Sequence, residues 1–483
     1  MTDQARPSFI ERLPSILWGL VLFTLPVTTF RYLPSFYAGT TVKPLALYPL
    51  AVLFVLLVWR HLRSRKLPLP RAAVPLAAFF LVALAATLIG LLYDPLPMRG
   101  QTVSARAMRA WFSMGVGMVF FLSAYWMNRD LSDLRRSLKW LYAGLTAVIV
   151  WGALQALAFQ TALLDENVLE NIQLLFSTRG IPKNDRIVAF AFEPSWLADQ
   201  IVIYYFPWLF AAILTGFRLT RYRWLEPALL VFSAGILVVT FSRSGILIAV
   251  AVTSLVLLIT GRRWMARVAH WLRAPFSKTS AASLAARATR LLVVLAALTG
   301  VIASVYTLSQ NRYFASFTKL GETADLYEYM LEISAGPRMA YAASGIAIYN
   351  DHPWTGVGLG ASNLYIYDYL PDWALTNLPE INRRLSPDSD IVSNTKNLYV
   401  RLLAETGIFG FWLFSAFFLA LLADIRRLFK SASPQARYIA VAGLFIWLAV
   451  ALRNFTQDSF TFPIVWVGLG TVIGLASSRL QQS

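Results

Sequence analysis

Arg243 stands in the short turn Ser242-Arg243-Ser244-Gly245 between two apolar runs. A guanidinium is planar and permanently charged, so it offers a fork for a phosphate at a membrane surface. Snorkelling to the headgroups is the other use of such a residue. The stretch Arg186-Ile-Val-Ala-Phe-Ala-Phe-Glu193-Pro194-Ser195-Trp196 leads directly into a further apolar run. Pro194 or Ser195 suits a helix start, and Glu193 there complements the positive end of the helix dipole. At the outer rim the same carboxylate is placed to accept a proton from a sugar hydroxyl. Asp199 lies a turn deeper, where an ionisable group either carries function or pairs with an arginine.

Further along come Gly336-Pro337-Arg338-Met339 and Asp351-His352-Pro353-Trp354-Thr355-Gly356-Val357-Gly358-Leu359-Gly360. No strand is expected before these glycines and no Lys-Ser/Thr follows, so turn formation accounts for them better than a phosphate loop. His352, placed before a proline, reads as a turn or cap residue more readily than as a catalyst. The stretch Ser393-Asn394-Thr395-Lys396-Asn397-Leu398-Tyr399 precedes Arg401, Glu405, Gly407 and Gly410. Lys396 and Arg401 fit either membrane anchoring or anion binding. Tyr365, Tyr367, Tyr369 and Trp373 suit stacking on sugar faces, although surface packing is the commoner use of such residues.

What must position these residues follows from composition. The chain has 483 residues, 57% hydrophobic and only 14% charged, which points to lipid as its solvent. The absence of cysteine removes disulfides, thiolate nucleophiles and Cys-type metal sites, and three histidines argue against a multi-histidine metal centre. The net charge of +18 reads as topology, with no nucleic-acid partner, because the basic residues flank apolar spans. Twelve runs are long enough to cross a bilayer: 13–30, 44–59, 72–93, 108–127, 140–160, 196–216, 225–241, 244–260, 291–308, 402–424, 438–452 and 461–478. Of 43 Lys and Arg, 26 fall on the side that holds the N-terminus, which makes both termini cytoplasmic. The first run reads as a retained helix. The expected architecture is therefore an all-α polytopic bundle of about twelve transmembrane helices. Residues 1–308 form helices 1–9 with an outer loop at 161–195. A large periplasmic loop subdomain spans 309–397, and residues 398–483 form helices 10–12. The basic 261–290 loop, with Trp264, Val268, Trp271 and Leu272 at near-helical spacing, reads as an interfacial helix resting on anionic membrane lipids.

Arg338, the segment HPWTGVGLG and KNLYVRLLAETGIFG opening a late helix resemble the O-antigen ligase and polymerase superfamily of bacterial integral-membrane glycosyltransferases. The likeness is strongest over 337–410, and it implies a fold of the GT-C kind. Lys396, Asn397, Gly407 and Gly410 fit the spacing of the ligase motif, but Lys396 holds the position of the proposed catalytic histidine. The resemblance implies a multi-pass protein of the bacterial inner membrane with its active site facing the periplasm. It further implies transfer of a glycan from undecaprenyl diphosphate; the plentiful outer Arg and Lys, with no dense carboxylate cluster, point to transfer without metal or cofactor. The acceptor is a lipid-linked repeat unit for a polymerase, favoured by the missing histidine, or lipid A–core for a ligase. A chain-length regulator is a further candidate partner. Glu193, Lys396 and Arg338 are the candidate catalytic residues; Arg186, Arg243, Arg401, His352 and Asn397 are the candidates for binding diphosphate and glycan. A transporter or flippase is the alternative of another class, but it would show internal repeats and polar groups near the midplane.

Overall fold

The computed structural model describes residues 9–33, 42–93, 95–161, 163–182, 186–273, 284–311, 314, 328, 330, 335–385, 389 and 391–477. Among them the protein is all-helical, its only β pairing being the isolated bridges Thr29–Lys43, Phe30–Ser177 and Met98–Gln101. The first half holds α1 (Phe9–Thr24), α2 (Leu47–Arg63), α3 (Ala73–Tyr93), α4 (Val103–Met127), α5 (Leu131–Gln160), α6 (Glu166–Phe176) and α7 (Pro194–Thr215). Then follow α8 (Leu225–Val239), α9 (Arg243–Thr260), α10 (Arg262–Arg273) and α11 (Leu284–Gln310). The region after them contains α12 (Gly336–Asp351) and the short α13 (Ser362–Tyr365), α14 (Asp372–Asn377) and α15 (Pro379–Leu385). The chain closes with α16 (Leu398–Lys430), α17 (Pro434–Arg453) and α18 (Pro463–Ala476).

Each of the twelve apolar runs lies largely within a helix, although the first, 13–30, leaves its helix at Thr24. Among the described residues, eight helices are long and apolar enough to cross a membrane, and Arg12–Thr24, Leu225–Val239 and Pro463–Ala476 are shorter apolar helices. Several helices begin before their apolar runs because a side chain caps a polar first turn. Thr102 Oγ1 accepts from Ala105 N, so α4 begins at Val103 and carries Arg106 and Arg109. Asp130 Oδ1 accepts from Asp133 N and starts α5 at Leu131, nine residues ahead of the run that begins at 140.

The main core lies among α1, α2, α4, α5, α7 and α16–α18. The last helix, α18, is almost wholly buried, and its small residues let α4 approach closely: a Cβ on Gly470 would come within 2.9 Å of Ala124 Cβ. Midway along α7, residues Gln200–Tyr205 form a π-helical stretch, so the helix carries a bulge about two turns below Glu193. A second hydrophobic cluster belongs to residues 340–381, with Tyr341, Ile348, Leu364 and Ile381 at its centre, and it closes on Val103 of α4 and Ala404 of α16. Parts of the 309–397 loop lie outside the described residues. The amphipathic segment at 262–273 is helical, as its spacing predicts, and no residue of it is buried.

Candidate functional site

A cavity of about 820 Å³ opens at one end of the bundle. Its walls are the start of α4, residues 192–196, Arg243 at the first turn of α9, the first turns of α12, residues 391–396 and the 457–461 turn. These are the segments that the Lys/Arg pattern assigns to the side opposite the basic loops. Among the described residues, seven cations line it, Arg106, Arg109, Arg243, Arg338, Arg384, Lys396 and Arg401, against three acids, Glu193, Glu380 and Asp458. Such a surplus in a recessed, partly desolvated site favours an anionic ligand.

The glycine motif is mechanical. Gly407 has φ +60° and ψ −167°, which breaks α16 in its third turn. The carbonyls of Ala404 and Glu405 lose their helical donors there and accept instead from Val357 N (2.9 Å) and Gly358 N (3.0 Å), while Ile408 N donates to Pro353 O (2.9 Å). The HPWTGVG segment thus inserts into the broken helix. A side chain at Gly407 would collide with Trp354 O, and one at Gly356, itself at φ +65°, would stand 2.6 Å from Ala404 O. Turn formation therefore does explain the alternating glycines, and the motif locks the large loop onto the late helix.

Lys396 lies just ahead of α16 with φ +54°, a left-handed conformation unusual for a residue with a side chain. Asp458 supports it. One carboxylate oxygen accepts from Asn394 Nδ2 (2.9 Å); the other accepts from Thr395 Oγ1 (3.2 Å) and Lys396 N (3.1 Å). Asn397 caps α16, its Oδ1 accepting from Tyr399 N (3.0 Å) and Val400 N (3.2 Å). Lys396 Nζ has no hydrogen-bond or ion-pair partner among the described residues. Burial holds its ammonium below the usual lysine range; Arg384 and Arg338 push the same way, and Asp458 and Glu193 oppose them.

Glu193 is the N-cap residue of α7 with Pro194 at the first helical position, as its sequence predicts. Its side chain does not cap the helix; Ser195 Oγ donates to it at 3.3 Å, and Arg179 Nη1 stands 3.7 Å away. The segment leading to it is fixed from both sides: Gln155 Oε1 accepts from Val188 N and Ala189 N, and Thr28 Oγ1 accepts from Phe192 N. Arg338 donates to Thr456 O at 2.7 Å and so joins α12 to the turn that carries Asp458. Arg401 lines the cavity, but its Nε is bound to Glu405 (2.9 Å) and its Nη1 to Asp458 O (2.7 Å). Glu405 is fully buried and also accepts from Ser362 Oγ (2.8 Å).

Five of the eight residues singled out in sequence meet in this cavity: Glu193, Arg243, Arg338, Lys396 and Arg401. Arg186 does not line it; its Nε donates to Thr240 O (3.0 Å) and ties the approach to Glu193 to the Arg243 turn. His352 caps the C-terminus of α12, with its ring 4.8 Å from that of Tyr93. Asn397 acts through its cap. Asp199 makes the pairing alternative real: Arg453 Nε of α17 donates to Asp199 Oδ2 at 2.9 Å, both side chains buried. Arg106, Arg109, Arg384 and Asp458 line the cavity without having been singled out. For Asp458 a signal exists, an acid in the short polar turn Asn454–Ser459 between two apolar runs.

Apolar helices long enough to cross a bilayer point to a multi-pass membrane protein, and at one end they gather a recessed, cationic, polar cavity. Residues 228–415 match the family model described as O-antigen ligase, and the match supports the O-antigen ligase and polymerase superfamily. That family implies a glycosyltransferase-like enzyme of the ligase or polymerase type. No curated protein matches the chain at a significant level.

Proposed function

We propose that the protein transfers a glycan from undecaprenyl diphosphate to a second lipid-linked repeat unit at the outer face of the inner membrane, as a polysaccharide polymerase. In this reading the chain crosses the membrane twelve times with both termini cytoplasmic, and the 309–397 loop is a periplasmic subdomain. The observation that carries it is the cavity itself, where seven cations outnumber three acids around a lysine and a partly exposed glutamate.

The acceptor hydroxyl oxygen attacks the anomeric carbon of the donor glycan, and the bond from that carbon to the diphosphate oxygen breaks. The diphosphate leaves with growing negative charge, which fixed cations stabilise best where water is scarce. Lys396, Arg338 and Arg243 take that role, with Arg384, Arg106 and Arg109 extending the cationic wall. Glu193 receives the acceptor proton. Lys396 stays protonated and donates, since an ammonium has no lone pair. Arg401 holds Glu405 and the Asp458 turn, and Asn397 and Arg186 fix the segments that present Lys396 and Glu193.

The test supplies purified full-length protein in nanodiscs with undecaprenyl-diphosphate-linked repeat units as the sole glycan. The polymerase reading expects a ladder of longer products without lipid A–core. Transfer that begins only when lipid A–core is added makes the protein a ligase and overturns it.

A further inference from the structure

A second cleft, of about 640 Å³, lies between α5 and α8 at the end of the bundle away from the cationic cavity. Along one face of α5 its lining runs from Arg135 and Lys139 to Tyr142, Ala143 and Thr146, so charge gives way to apolar surface within about 16 Å of helix. The opposite wall repeats the order, with Arg221 on the loop and Leu225 and Leu229 deeper on α8. No acidic residue lines it. Glu226 is buried and accepts from Thr220 Oγ1, and Asp133 is taken by Arg136. Arg135, Lys139 and Arg221 are therefore not ion-paired among the described residues. Tyr222 lines the cleft and is exposed, as is Trp224 two residues on, and aromatic residues of this kind mark headgroup depth in a bilayer.

We infer that this cleft binds one anionic phospholipid, its phosphate held by Arg135, Lys139 and Arg221 and an acyl chain laid against Leu138, Leu225 and Leu229. The graded lining matches the order of a lipid from headgroup to chain. Its apolar floor has nothing to offer free phosphate, and its unpaired cations discriminate against a zwitterionic headgroup, where an added positive charge offsets the phosphate.

Delipidated full-length protein is reconstituted with equimolar phosphatidylglycerol and phosphatidylcholine and its retained lipids are counted by native mass spectrometry. One phosphatidylglycerol is expected to be retained in preference by about tenfold or more, in keeping with several basic residues acting together near a membrane surface. The triple variant Arg135→Gln, Lys139→Gln, Arg221→Gln should lose that preference with an unchanged melting curve. Ala143→Trp fills the cleft from an exposed position and should abolish retention while leaving the cations in place, which keeps the proposal testable if the triple variant inserts poorly. Equal retention of the two lipids, or undiminished preference in both variants, overturns the proposal. So does complete displacement of phosphatidylglycerol by millimolar inorganic phosphate, which would mark a simple phosphate site.

Discussion

Asp199 and Arg453 join α7, which begins at Glu193, to α17, which ends at the turn carrying Asp458, so their pairing controls how the two walls of the cavity face each other. The contact is a single Nε–Oδ2 hydrogen bond of 2.9 Å, and Arg453 Nη2 is buried with no hydrogen-bond partner among the described residues. At that separation, and an effective dielectric of about 20, the attraction is about 6 kcal/mol. Desolvation of two ions costs several kcal/mol each, so the intact pair is worth little over an apolar isostere. Breaking it is another matter. Asp199→Asn leaves a buried cation facing a neutral amide, and the expected destabilisation is about 3–5 kcal/mol. Asp199→Leu and Arg453→Met should each lose a similar amount alone and recover most of it when combined, giving a coupling of about 2 kcal/mol or more in a double-mutant cycle. The assay is equilibrium unfolding of the full chain in mixed micelles, with helicity as the readout. A single variant within about 1 kcal/mol of the parent, or a double variant as unstable as the two singles added, would refute the reasoning.

Three further outcomes follow from the cavity. Gly407→Ala forces a side chain into a left-handed position against Trp354 O, so it should cost about 1–3 kcal/mol in the same unfolding assay and reduce transfer; an unchanged midpoint would refute this. Lys396 binds the diphosphate as a cation and burial lowers its pKa, so transfer should fall on the alkaline side at a pH below the ordinary lysine range. Asp458 opposes that lowering, so Asp458→Asn should move the alkaline limb to still lower pH in a rate profile, and a shift the other way would contradict the assignment. Transfer should persist in EDTA, because the arginines and Lys396 carry the charge of the leaving group; loss of activity that magnesium or manganese restores would overturn this.

The helices were legible because bilayer thickness and hydropathy dictate them: each of the twelve apolar runs lies largely within a helix, and the Glu193-Pro194 start of α7 lies where capping rules put it. Their beginnings were less so. The apolar run of α4 begins at 108, whereas Thr102 caps the helix five residues earlier and turns Arg106 and Arg109 toward the cavity. The glycines of the HPWTGVGLG segment read as turns, yet that they fill a break in α16 depends on contacts about fifty residues apart, which no local pattern encodes. Asp458 and Arg384 escaped for the same reason. Arg384 is an ordinary polar residue in its own segment, and Asp458, although an acid in a short polar turn, gains its partner only in the fold, beside Lys396. Arg186, His352 and Asn397, whose types invited a binding role, are occupied by a carbonyl, an aromatic ring and a helix cap.

In the proposed reaction Glu193 takes the acceptor proton while Lys396 holds the diphosphate. The most direct measurement is the single-turnover transfer rate of Glu193→Gln and Lys396→Arg in nanodiscs, after each variant is shown to insert and remain monodisperse. Loss of a general base slows such steps by about 10²–10⁴, so Glu193→Gln should fall into that range. Lys396→Arg keeps the charge and should retain measurable transfer, reduced by the different shape of the guanidinium. An active Glu193→Gln beside an inactive Lys396→Arg would contradict the account and make Lys396 the proton acceptor.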